Sequence, residues 1–309
     1  MADAQLLLLA AGFFLASLLF LGGSSLFMVQ ALNQVAKAIR LSPFLIGVLV
    51  LSVATTIPEL LNVVVSNMQG APDLGMGDVI GASIVDLCLI LGLVSIVAKS
   101  KMGKLENSAF GFSLIAIALF YLLGRDGLFT RIDGAILFSL FLGYQFFLYK
   151  QGLSSKIRHA EFKKISTAYV IAPIAIFCLI ISAFLLVTTS SYLGTSFGIP
   201  VGVVGLLFVA IGTSAPELFS SLVAAFKKGE GLALGIMIGS IVLNFSFATG
   251  IGALVSPIAF DFSIFQLPLA ILFASTLLFV GYVNVKKETD KYLGAMMLAI
   301  YAAYVYLNI

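Results

Sequence analysis

Ten apolar runs separated by short polar breaks occupy most of the chain, at 5–31, 43–68, 74–98, 108–124, 132–149, 168–190, 199–226, 231–258, 263–284 and 292–308. A helix of about 20 apolar residues spans the hydrocarbon core of a bilayer. Inside that core every backbone polar group must find its partner within the protein, which leaves helices or closed barrels, and runs of this length read as helices. With 61% hydrophobic and 10% charged residues, the chain lacks the polar surface of a soluble globular protein. No room remains for a large soluble domain, and nucleic acid is not an implied partner. The first run carries Asp3, has no basic residues ahead of it and exceeds the apolar core of a secretory signal, so it is read as a span. Cys88 and Cys178 fall inside apolar runs and read as buried packing thiols rather than a disulfide.

Ten spans divide the connections into two alternating sets. One set holds Lys37, Arg40, Lys99, Lys101, Lys104, Lys150, Lys156, Arg158, Lys163, Lys164, Lys227, Lys228, Lys286, Lys287 and Lys291; the other holds only Arg125 and Arg131. Basic residues concentrate on the cytoplasmic side, which predicts extracellular N- and C-termini in a multi-pass cell-membrane protein. The longest connection, 151–167, then becomes a cytoplasmic linker between a first half, 1–150, and a second, 168–309.

Those halves contain a repeat. Shifted by 158 positions, residues 43–97 align without a gap on 201–255, with thirteen identities. Among them are Thr55 with Thr213, Pro58 with Pro216, Glu59 with Glu217, Gly77 with Gly235 and Gly81 with Gly239. Five spans separate the copies, so the second enters the membrane from the opposite face. The expected architecture is two inverted five-helix repeats with helices broken at the midplane, as in many secondary transporters.

An ionisable group at the centre of a span costs about 2.5–3.5 kcal/mol on insertion scales. Glu59, Glu217 and Asp86 lie at such depth, Asp86 having Asn244 as its repeat partner, and no Lys, Arg or His falls at comparable depth. Carboxylates without basic partners need protons or an external cation. Pro58 and Pro216 interrupt the helices just before the glutamates and free backbone carbonyls upstream, with Ser52 and Ala210 as the candidates. Thr55, Thr56, Thr213, Ser214 and Ser240 add hydroxyls and Asn244 an amide, completing an all-oxygen set suited to Ca²⁺ or Na⁺. His159, the single histidine, falls in the linker. The glycine pairs 77/81 and 235/239 read as small faces for close helix contact. Asp78 pairs with Ile236 in the repeat and is read as a surface or entry-path residue, about one helical turn from the outer face.

The paired segments Ala-Thr-Thr-Ile-Pro-Glu (54–59) and Gly-Thr-Ser-Ala-Pro-Glu (212–217) are each followed by a glycine-rich stretch, Gly-Asp-Val-Ile-Gly-Ala or Gly-Ile-Met-Ile-Gly-Ser. They resemble the two alpha repeats of the cation/calcium exchanger superfamily, nearest its prokaryotic sodium/calcium exchanger type. That resemblance implies antiport of Na⁺ against Ca²⁺, with no cofactor and no catalysis, and the first and sixth spans sliding over a fixed core. It implies Glu59 and Glu217 as central carboxylates, with Thr55, Thr56, Thr213, Ser214, Ser240 and the carbonyls of Ser52 and Ala210 completing the ion sites. The chain departs from the family pattern at Asp86 and Asn244, where relatives commonly carry Asn and then Asp. It departs again at Ala54, in place of a glycine, and at Ala82, in place of a hydroxyl.

From the residues themselves a proton-coupled calcium antiporter stays open, since adjacent carboxylates carry protons as well as metal. A cation channel would instead place its charges in a ring around a pore. An intramembrane enzyme would need an embedded nucleophile beside a base. Ca²⁺ and Na⁺, with H⁺ or K⁺ as further possibilities, are the expected partners alongside the bilayer, and function as a monomer is the expectation.

Overall fold

The computed structural model describes residues 2–38, 42–153, 166–226 and 230–308. Helices follow the apolar runs: α1 (Ala2–Ala38), α2 (Phe44–Met68), α3 (Pro72–Val97), α4 (Lys104–Gly124) and α5 (Arg131–Leu153). The second half supplies α6 (Ser166–Phe197), α7 (Val201–Thr213 with Ala215–Phe226), α8 (Gly231–Val255), α9 (Phe262–Lys286) and α10 (Lys291–Asn308). Among the described residues, eight helices are long and apolar enough to cross a membrane, or nine when the two parts of α7, bent by 43°, form one span. The expected tenth is α10, where Lys291 and the tyrosines at 292, 301, 304 and 306 dilute the apolar run. Linker residues 154–165, His159 included, and Lys227 and Lys228 lie outside the described residues.

The repeat reappears as matched irregularities. A wide π turn interrupts α2 at Gly47–Leu51 and α7 at Gly205–Val209, again 158 residues apart. A second pair interrupts α3 at Val85–Ile90 and α8 at Asn244–Ala248. Such turns leave carbonyls out of the regular ladder and recur at functional sites; in α8 the Thr249 hydroxyl donates to the Asn244 carbonyl at 3.0 Å.

The glycines act as the small contact faces expected of them. A Cβ at Gly77 would strike the Gly202 carbonyl and come within 3.1 Å of the Gly205 Cα, while one at Gly235 would strike the Phe44 carbonyl and come within 3.2 Å of the Gly47 Cα. Helix α3 therefore lies backbone to backbone on α7, and α8 on α2. Each crossing joins a helix of the first half to one of the second.

Short extended segments tie the periphery together. Strand β1 (Leu128–Phe129) pairs antiparallel with β2 (Ile258–Ala259), and a single bridge pairs Lys101 with Glu288. The two clasps share a detail: Phe260 N donates to the Gly127 carbonyl at 2.8 Å and Met102 N to the Lys287 carbonyl at 2.9 Å. Both acceptors have positive φ, 81° at Gly127 and 62° at Lys287. A left-handed backbone costs a side-chain-bearing residue about 1–2 kcal/mol, offset in part by the entropy a glycine loses on folding. Lys287→Gly is therefore expected to stabilise the protein by about 0.5 kcal/mol, read as a rise in melting temperature in detergent; an unchanged or lower value would show that Lys287 is not strained.

Two apolar clusters divide the interior. The larger runs through α2–α5 and α7–α10 and includes the buried rings of Phe110, Phe120, Phe129, Phe245, Phe265 and Phe279. The smaller joins Leu21 of α1 and Ala175, Ala183, Leu186 and Val187 of α6 to Ala54, Leu74, Val204 and Val209. Exposed Leu8, Leu19, Phe146 and Phe177 fit an outer surface in contact with lipid. Cys88 is buried as expected, whereas Cys178 is only partly buried, because α6 turns it toward an open groove beside α1 lined by Leu19, Phe20 and Phe27.

Candidate functional site

The two Pro-Glu breaks lie close enough for the Glu59 and Glu217 charges to act on each other, and residues beside them, Ala54 and Val209, belong to the smaller cluster. In α2, Thr56 N donates to the Ser52 carbonyl at 2.9 Å and Leu60 N to the Thr56 carbonyl at 3.0 Å; in α7, Ser214 N donates to Ala210 at 3.1 Å and Leu218 N to Ser214 at 3.0 Å. The carbonyls of Ser52 and Ala210 are thus not freed, contrary to the sequence expectation. A proline ring withholds the donor meant for the carbonyl four residues earlier, which is Ala54 for Pro58 and Gly212 for Pro216. The Ser52 and Ala210 carbonyls also meet the Thr55 and Thr213 hydroxyls at 3.2 Å each, so a ligand would share their second lone pairs with these hydroxyls.

Past each break the helix restarts, and the glutamate falls in its first turn: Glu59 in Ile57–Met68 and Glu217 in Ala215–Phe226. The unpaired N–H groups of a helix start carry partial positive charge, so both carboxylates sit where the backbone itself favours an anion. Asp86 and Asn244 enter from the π turns of α3 and α8.

Glu59, Glu217, Asp86, Asn244, Thr55, Thr56, Thr213, Ser240 and Ser52 are all fully buried, and Ser214 nearly so. Both carboxylate oxygens of Glu59, Glu217 and Asp86 lack a hydrogen-bond partner, as do the hydroxyls of Thr56, Ser214 and Ser240 and the Asn244 Oδ1. Buried polar atoms are almost always satisfied in folded proteins, so this concentration of bare oxygens marks a place built for something with positive charge. Among the described residues no Lys, Arg or His is buried. Glu217 lies beside Thr55, and Asp86 beside Ser214 and Ser240; Glu59 feels the charges of Glu217, Asp78 and Asp86. The site therefore draws on α2, α3, α7 and α8, the four helices locked by the glycine crossings.

Some candidate ligands are otherwise engaged. The Ser52 hydroxyl donates to the Val48 carbonyl at 2.6 Å, and the Thr55 hydroxyl reaches the Leu51 and Ser52 carbonyls at 3.0 and 3.2 Å. The Asn244 amide donates to the Ser83 hydroxyl at 3.2 Å, leaving its oxygen bare. Among the described residues no three acidic, His or Cys side chains converge tightly enough to hold a metal on their own, so neutral oxygens must complete any shell.

Asp78 is a correction. It is fully buried, not at the surface, and accepts from Asn62 Nδ2 and Thr213 Oγ1 at 2.7 Å each. The surface reading failed because α3 is buried along nearly its whole length, between α2 and α7. Its spacing held the missed signal: Asp78 and Asp86 are eight residues apart and share a helix face, as do Glu59 and Asn62.

The family model for sodium/calcium exchanger proteins matches residues 9–150 and 167–309. An uncharacterized membrane protein of Methanocaldococcus jannaschii is 29% identical over 96% of this chain and 97% of its own. The sodium/calcium exchanger MaX1 of Methanosarcina acetivorans is 24% identical over 94% of this chain and 95% of its own. A solved structure of the sodium-calcium exchanger NCX_Mj, soaked with Na⁺ and Sr²⁺, superposes with a TM-score of 0.74 at 27% identity, covering 97% of this chain and 99% of that one.

Proposed function

Because the chain belongs to the sodium/calcium exchanger protein family, we propose that it exchanges Na⁺ for Ca²⁺ across a cell membrane by alternating access. The observation that carries this reading is the pair of buried carboxylates, Glu59 and Glu217, whose four oxygens are unpartnered and which, among the described residues, no buried basic residue neutralises. Ca²⁺ takes six to eight oxygen ligands. Glu59 and Glu217 are the central ligands, Thr55 and Thr213 contribute beside them, and Asp86, Asn244, Thr56, Ser214 and Ser240 offer oxygens for Na⁺. Ser52 and Ala210 coordinate through their second carbonyl lone pairs.

If Ca²⁺ and Na⁺ need the same carboxylates, neither set can be complete while the other is bound. Each ion then leaves as the other arrives, and Na⁺ moving down its gradient drives Ca²⁺ up. The matched breaks, 158 residues apart, support ten spans arranged as two inverted halves, 1–150 and 168–309. The distribution of Lys and Arg supports external termini and a cytoplasmic 151–167 linker, and the chain acts as a monomer.

The test is ⁴⁵Ca²⁺ uptake into proteoliposomes loaded with Na⁺ and diluted into Na⁺-free medium, with pH and K⁺ gradients as parallel arms. Uptake is expected only with internal Na⁺. Uptake driven by the pH gradient alone would make these carboxylates proton carriers and overturn Na⁺ coupling.

A further inference from the structure

The repeat is not symmetric around its two threonines. Thr55 turns its hydroxyl onto carbonyls of its own helix, Leu51 at 3.0 Å and Ser52 at 3.2 Å. Thr213 donates instead across to Asp78 Oδ1 at 2.7 Å, with its own helix carbonyls farther off at 3.2 and 3.3 Å. The repeat partner of Asp78 is Ile236 and that of Asn62 is Ser220, so the first half holds a polar pair that the second lacks.

Asp78 has two polar side chains against it. Asn62 Nδ2 donates to Oδ2 and Thr213 Oγ1 to Oδ1. The Asn62 amide nitrogen can only donate to Oδ2, and the Thr213 hydroxyl donates to Oδ1 when Asp78 is ionised; the ionised form is the one the proposal concerns. A hydroxyl whose proton is committed to a carboxylate has only lone pairs left to present elsewhere, which is the orientation a cation requires. Asp78 also acts electrostatically on Glu59 and Glu217.

We propose that Asp78 is a specificity-determining residue of the cation site: it fixes the Thr213 hydroxyl with its oxygen toward the ion and adds a fourth negative charge that favours a divalent over a monovalent cation. The inference rests on the exchange reading above. Its signature follows from Coulomb's law, in which the energy scales with the ion's charge. Removing one fixed charge therefore changes the logarithm of affinity twice as much for Ca²⁺ as for Na⁺.

Asp78→Asn is the informative variant. It keeps the shape and an acceptor for Thr213, and Asn62, whose Oδ1 is unpartnered, can turn its amide to accept from the new NH₂. Calorimetric titration of the purified full chain with CaCl₂ and, separately, NaCl is expected to show about a tenfold loss of Ca²⁺ affinity and about a threefold loss for Na⁺ per ion bound. In the uptake assay the KM for Ca²⁺ rises by the same factor while the maximal rate stays within about twofold. A second variant, Asp78→Leu, removes both the charge and the acceptor and is expected to weaken Ca²⁺ binding further than Asp78→Asn. Equal losses for both ions, a fall in maximal rate at unchanged KM, or wild-type binding in Asp78→Asn would overturn the proposal while leaving the exchange reading intact. Absence of Ca²⁺ binding by the wild-type chain would overturn both.

Discussion

Replacing Glu217 or Glu59 by glutamine is expected to take Ca²⁺ uptake to background. The substitution leaves volume and backbone in place and removes one of the two fully buried glutamate charges proposed above as central ligands. What lies against the carboxylates, the Thr55 hydroxyl at Glu217 and each glutamate's own backbone N–H, can also donate to a glutamine oxygen, so folding has little at stake and binding carries the effect. Removing one partner of a desolvated charge pair costs about 2–5 kcal/mol, which is at least about thirtyfold in affinity. Glu288→Gln is the matched control. Its carboxylate pairs with Lys99 at 3.3 Å on the exposed rim, where such a pair contributes about 0–1 kcal/mol, and uptake is expected to stay at the wild-type rate. Normal transport by either buried variant would reject the site.

A single methyl group at Gly205 is expected to do comparable damage by another route. A Cβ there meets the Leu74 carbonyl, with Asp78 N at 3.0 Å and the Gly77 Cα at 3.1 Å. These are backbone atoms and cannot swing aside as a side-chain tip can, so α3 and α7 have to separate. Overpacking of this kind costs about 1–3 kcal/mol and occasionally more. The separation also displaces Asp78 and Thr213 from each other. Gly205→Ala is expected to lower the melting temperature by several degrees and uptake by at least about tenfold. Gly143→Ala serves for comparison: no atom lies within 4 Å of a Cβ at that position in α5, and alanine gains up to about 1 kcal/mol of helix propensity. If Gly205→Ala melted and transported like the parent, the tight crossing would not exist in the membrane.

The sequence was most legible where membrane physics leaves few choices. Apolar runs marked the helices because lipid admits little else, and the Pro-Glu pairs marked the site because a buried carboxylate without a basic neighbour is too costly to be incidental. The π turns were invisible, since no residue type demands them, and Gly47 and Gly205, which open two of them, carried no signal beyond their match in the repeat. The expectation that proline frees the carbonyls of Ser52 and Ala210 missed by two residues: proline acts four residues upstream, on Ala54 and Gly212, while Ser52 and Ala210 keep their backbone donors. Asp78 was read as a surface or entry-path residue because a position near a helix start says nothing of what packs around it. Burial there comes from neighbouring helices, and a single span does not report how deeply its neighbours enclose it.

The separation of the interior into two clusters has a mechanical consequence. Helices α1 and α6 are held to the rest through Leu21, Ala175, Ala183, Leu186 and Val187 against Ala54, Leu74, Val204 and Val209, alkyl surface on alkyl surface. In α1, Leu18 lies over Gly212 and Gly22 is 3.7 Å from the Ala215 Cβ at the position of an added methyl, which puts this layer directly over the second break. Between apolar helices in lipid there is no hydrophobic force to overcome, only packing contacts to exchange for others of similar strength. Under the alternating-access exchange proposed above, travel of such a layer would cost little, whereas a charge uncovered beneath it would cost much. Net neutralisation of the site would then set when the layer moves.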